Sequence, residues 1–218
     1  ATNGAMALNG AVSAVANFTA TAAGALSIGA AQINGNTRLT SGGAMSIGGT
    51  LWGDGTGTFQ AGGDMTGAGG LAFGQAINAT AGGAFSLGQG VEGAGDVTIR
   101  SANDLSLAAL TAVGNATLSS SAGSIALGAT QVGGSLNATA SQNLTAISGI
   151  SAGGPLTLSA TNGRLVAANL QGNGAATLSA GRGLTLGGTN VLAGNVSLTG
   201  ANVTVSGTTT ASQGFTAS

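Results

Sequence analysis

The chain has 218 residues, a formal charge of −1, only 4% charged residues, and no His or Cys. Its cations are Arg38, Arg100, Arg164 and Arg182, too few and too scattered to neutralise a run of phosphates, which excludes nucleic-acid binding and general electrostatic recognition. Leu, Ile, Val and Phe make up about a fifth of the residues, the border of disordered composition, yet near-zero charge and strict spacing of those residues argue for order.

An apolar anchor recurs along the chain at Met6, Leu26, Met45, Met65, Phe85, Leu105, Ile125, Leu144, Leu165, Leu184 and Val203, in steps of 19 to 21 residues. A fixed period running from end to end predicts one repetitive body over residues 1–218 rather than two domains. In Gly4-Ala5-Met6-Ala7-Leu8 and Gly24-Ala25-Leu26-Ser27-Ile28, apolar side chains alternate with small or polar ones, the pattern of a strand with one buried face. Two residues before the anchor stand Gly4, Gly24, Gly43, Gly63, Gly83, Gly123 and Gly163, with Asn103 once. These types tolerate positive φ, so a corner is expected before each first strand.

A second apolar position follows after five to seven residues, at Val12, Ile33, Leu51, Leu71, Val91, Leu110, Val132, Ile150, Leu170 and Val191. A third alternating stretch closes each unit, as in Asn17-Phe18-Thr19-Ala20, Val97-Thr98-Ile99-Arg100 and Leu156-Thr157-Leu158-Ser159. Three short strands therefore fill each unit of about 20 residues. One such unit buries too few apolar side chains to offset the entropy of ordering its backbone, so the units must stack. Stacking strand on strand in parallel satisfies the backbone donors and acceptors along the stack, whereas frequent Gly and the absence of a 3.6-residue period exclude helical repeats. The expected fold is all-β: a single-stranded parallel β-helix, or solenoid, of about eleven coils, on the order of 50 Å long at about 4.8 Å per coil.

Individual positions carry further expectations. The run Met65-Thr66-Gly67-Ala68-Gly69-Gly70 puts Gly where Leu or Ile is usual, predicting a bulge or a locally weak coil. Pro155 is placed at a strand start, where a missing N–H is tolerated, and Trp52 next to inward Leu51 is turned outward. The chain begins and ends in mid-repeat without an initiator Met, a charged leader or an apolar run of about 18 residues, and reads as an internal fragment of a longer protein. The lack of Cys fits either a reducing compartment or an exported chain without disulfides.

Parallel β-helices also serve as polysaccharide lyases and hydrolases, so the acids matter. Asp64 and Asp104 each precede an anchor, two coils and about 10 Å apart, near the separation of an inverting carboxylate pair. No third acid, Arg or Lys converges with them, and Asp beside a corner is ordinary turn chemistry. Gly88-x-Gly90-x-x-Gly93 matches a dinucleotide fingerprint by letter but precedes no helix, and Asp54, Asp64 and Asp96 lack the per-turn recurrence of calcium-binding β-rolls. Thr19, Thr21 and Thr208 to Thr210 are not expected to continue as an ice-binding ladder. Asn-x-Ser/Thr triplets begin at Asn17, Asn78, Asn115, Asn137, Asn143, Asn195 and Asn202, a pattern that glycosylation or corner chemistry alone produces. No catalytic, cofactor-binding or metal residue is assigned, and the chain is expected not to be an enzyme.

The combination Gly-x-Leu-x-Leu, then Val or Ile, then Leu-x-Leu-Ser-Ala, as in Gly154-Pro155-Leu156-Thr157-Leu158-Ser159-Ala160 leading to Gly163-Arg164-Leu165, resembles the repeat region of the filamentous haemagglutinin family. These are exoproteins of two-partner secretion that include adhesins and contact-dependent growth-inhibition proteins. The resemblance implies a right-handed β-helix and a rod or stalk segment that is secreted or displayed on the bacterial surface, with an outer-membrane secretion partner and a receptor on a host or neighbouring cell. The absence of Cys suits a chain that crosses a pore unfolded. The alternative reading is a structural subunit that associates end to end through its coil ends into a filament, and the third is a polysaccharide-active enzyme.

Overall fold

The computed structural model describes residues 4–218. Among them are 27 strands and no helix, and the strands stack in parallel as a β-solenoid of about 11 turns with about 20 residues per turn. The eleven anchors form one unbroken column: Met6 pairs with Leu26, Leu26 with Met45, Met45 with Met65, and so on to Leu184 with Val203. Anchors from Leu26 to Leu184 are almost wholly buried, because alternation sends each one inward while the next residue, most often Ser or Thr, faces out.

The second column departs from expectation at three places, all where the spacing from the anchor is seven residues. Val12, Leu51, Leu71, Val91, Leu110, Ile150 and Leu170 hold the column, but Ala31, Thr130 and Asn190 take the places predicted for Ile33, Val132 and Val191. Ile33 and Val132 lie two residues further on, still inward and buried. Val191 lies one residue off and is 52% exposed, while Asn190 is 1% exposed. Gly188, at φ 69°, turns the chain just ahead of it.

Asn190 is tolerated inside because its amide is fully engaged. Oδ1 accepts the Leu170 N–H at 3.0 Å, and Nδ2 donates to the Gly187 carbonyl at 3.1 Å and to Thr209 Oγ1 at 3.2 Å. Replacing it with the apolar residue that its column otherwise favours, Asn190→Leu, is expected to lower stability by about 1–3 kcal/mol, since the buried Leu170 amide loses its acceptor. Denaturant melts of the two proteins check this; a more stable variant would contradict it.

The corners before the first strands are present, but for a different reason than positive φ. Among the described residues the left-handed ones are Gly90, Gly149, Asn169, Gly188 and Gly207, all at the turn between first and second strands. Apart from Gly4, the glycines before the anchors are instead pressed against the coil beneath. A Cβ on Gly123 would lie 2.5 Å from the backbone of Asn103, and one on Gly24 would lie 3.2 Å from the backbone of Gly4.

The irregularity expected at Gly67 is also there. Pairing of Met65–Gly67 with Met45–Ile47 stops after Thr66, and the Ile47 carbonyl takes its hydrogen bond from Gly69, at 3.0 Å. A side chain on Gly67 would run into that same carbonyl. Pro155 stands in the corner before the strand Leu156–Ala160, and Trp52 faces outward at 42% exposure, both as expected.

Candidate functional site

At the rod's corners, Asn and Asp side chains do structural work. Just before the third strands, Asn17 Oδ1 accepts the Asn36 N–H at 2.9 Å and Asn36 Oδ1 the Thr56 N–H at 2.8 Å. Further along, Asp96 Oδ1 accepts the Asn115 N–H at 2.7 Å and Asn115 Oδ1 the Ser135 N–H at 2.9 Å. Each side chain thus supplies an acceptor to an amide one coil on, where the strand ladder has been interrupted by the turn. Sequence reasoning missed these ladders, although Asn or Asp recurring just before the third strand at coil spacing was their signal.

Asp64 and Asp104 belong to the same system at the other corner. They fall in one column, two coils apart as predicted, with Ala84 between them. Asp64 Oδ1 accepts the Ala84 N–H at 2.8 Å, and Asp104 Oδ1 accepts the Ser124 N–H at 2.8 Å. Each carboxylate is directed at the next coil's backbone. Among the described residues no group of three or more His, Cys, Asp or Glu is placed to hold a metal ion. Gly88 and Gly90 lie at a corner that runs straight into the strand Gly90–Gly93, leaving no helix N-terminus beside them.

The Asn-x-Ser/Thr triplets divide by position. Asn17, Asn115, Asn143 and Asn195 give Oδ1 to a corner amide, whereas Asn78 and Asn137 face outward from the third strands and Asn202 is exposed beside the last anchor, Val203.

Thr19 does not lead an unbroken threonine ladder: its row runs through Arg38, Thr58, Asn78, Thr98, Thr117, Asn137, Thr157 and Thr177, one residue per coil on the outer face of the third strands. Thr21 starts a second row that includes Thr40, Gln60, Thr80, Arg100 and Ser119. The guanidinium groups of Arg38 and Arg100 and the interposed amides break these rows as hydroxyl arrays. Their β-branched members favour an outward strand face and pair across neighbouring strands.

The outward row of the second strands is chemically different. Gln32, Trp52, Ala72, Glu92, Thr111, Gln131, Ser151 and Gln171 are successive register partners, so one side chain per coil lies along this face. Depressions of about 470 and 510 Å³ adjoin it and share Thr111, Gln131, Ser151 and Gln171.

Coil stacking, corner ladders and one outward side chain per coil define the molecule as a β-solenoid repeat protein. It belongs to the family described as repeats of unknown function (DUF5649), whose model matches residues 15–66, 94–126 and 113–173, more than half of the chain. No curated protein and no solved structure matches it.

Proposed function

We propose that the chain is a non-enzymatic rod segment of a secreted bacterial surface exoprotein, an adhesin or a contact-dependent toxin-delivery filament of the filamentous haemagglutinin type. The observation that carries this reading is the unbroken anchor column: every turn adds one strand spacing and nothing interrupts the stack. Length is what such a body supplies, and its mechanism is mechanical reach. An outer-membrane partner would export the chain, and a receptor on a host or neighbouring cell would be met by regions held at the rod's end.

A second reading, end-to-end self-association, is favoured by the two end coils. Met6, Leu8, Val12 and Phe18 are only half-buried, and Val205 and Phe215 are 40% and 46% exposed, so a further coil on either end, from this chain or another copy, would cover apolar surface.

The denatured mass of the native polypeptide from its own cells separates the two. A single chain many times the mass of this segment is the expected result. A polypeptide of about 20.0 kDa would overturn the exoprotein and leave the self-assembling subunit.

A further inference from the structure

We propose that the outer face of the second strands is a furrow that binds a linear, uncharged polysaccharide lying along the rod. The inference does not depend on whether the rod belongs to an exoprotein. Four depressions lie on this one face. Two, of about 470 and 510 Å³, share Thr111, Gln131, Ser151 and Gln171. A third, of about 180 Å³, extends from Thr111 to Glu92, and a fourth, of about 490 Å³, is bordered by Gln32 and Trp52. Register makes them one track, because the polar side chains named are consecutive partners apart from Ala72. Beside the row the first of these depressions is lined by the small residues Ala109, Ala129 and Gly149, and by Asn169.

The chemistry of the track fits sugar hydroxyls. Gln side chains offer two donors and an acceptor in a plane, and Thr and Ser both donate and accept. From Thr111 to Gln171 hydroxyl and amide alternate coil by coil, so each type recurs about every 9.6 Å. A ligand that is itself a repeating chain of hydroxyl-bearing rings meets such a row in register, as a compact molecule does not. Trp52 adds an exposed indole, an apolar platform with a polar edge of the kind that takes the face of a sugar ring.

Charge narrows the class. No Arg or Lys lines any of the four depressions, and the single ionisable group there is Glu92. Uronate or sulfated chains would find no counter-charge and one repulsive carboxylate, so the ligand is neutral.

Affinity electrophoresis of the whole chain through gels containing hydroxyethyl cellulose, galactomannan, dextran or polygalacturonate tests this. At least one neutral polymer is expected to retard the protein, and polygalacturonate is not. Trp52→Ala and the pair Gln131→Ala with Gln171→Ala should each raise the apparent Kd at least tenfold. The control pair Thr157→Ala with Thr177→Ala, on the third-strand face, should leave it unchanged. If the alanine pair fails to fold, the near-isosteric pair Gln131→Glu with Gln171→Glu is read instead, with the same loss expected. No retardation by any neutral polymer, retardation by polygalacturonate alone, or retardation that the furrow variants leave intact would overturn the proposal.

Discussion

Phe73→Ala is expected to lower unfolding free energy by about 3–5 kcal/mol, and a second substitution at Gly53 should return part of that loss. The reason lies in how volume is shared between coils. Phe73 is 3% exposed, and its register partners below and above are Gly53 and Gly93. Its ring meets that of Phe59 edge to face, with centroids 5.5 Å apart at 67°. A Cβ on Gly53 would come 2.5 Å from Phe73 Cε1, and one on Gly57 would come 2.7 Å from Phe59 Cε2 and 3.0 Å from Phe73 Cδ2. The ring therefore occupies space that Gly53 and Gly57 vacate in the coil beneath, and its removal leaves a cavity that surrounding backbone cannot fill.

Gly53→Val alone overpacks the same space and should cost about 1–3 kcal/mol. Combined with Phe73→Ala, the new side chain enters the cavity, and the double variant should be less destabilised than the sum of the singles by about 0.5–3 kcal/mol. Denaturant titrations of the three variants give this cycle, with hydrogen exchange of the Phe73 coil as a local readout where solenoid unfolding is not two-state. Strictly additive penalties would mean that the two positions do not share one volume.

The anchor column was fully legible in the sequence because it requires only one apolar residue per turn at a near-constant interval, and Met6 through Val203 supply it. The second column was less so. Corners absorb one or two residues without changing the strands, so an apolar residue seven positions after the anchor, as at Ile33, Val132 and Val191, no longer falls in phase. Asn190 shows the limit of hydrophobic patterning: a polar residue holds an inward place by accepting a hydrogen bond from the Leu170 amide and donating to the Gly187 carbonyl and Thr209 Oγ1, partners that no local pattern encodes. Glycine was read for its conformational freedom, while most pre-anchor glycines answer to the nearness of the coil beneath.

The surface was harder still. Thr19 and Thr58 are separated by Arg38, and turn lengths of 19 to 21 residues blur the count, so the rows emerge only once strand register is known. Asp64 and Asp104 were correctly placed in one column, but their partners, the amides of Ala84 and Ser124, lie 20 residues away in each case. The outward row from Gln32 to Gln171 likewise emerges only from strand register, to which alternation is blind.

The account's central claim is that length is added in whole coils, and a matched pair of deletions tests it most directly. Removing residues 105–124 takes out one first, one second and one third strand and joins Asp104 to Ile125, which then meets Phe85 as Leu105 did. Because each coil contacts only its neighbours, this chain should keep a cooperative thermal melt within a few degrees of the full-length midpoint. Removing residues 105–114 instead takes two strands and leaves the third, so every later strand arrives part of a turn out of phase and its side chains meet the wrong column. That chain should lose the cooperative transition. Equal melts for the two deletions, or a greater loss for the whole-coil one, would contradict the solenoid register on which the rest of the account stands.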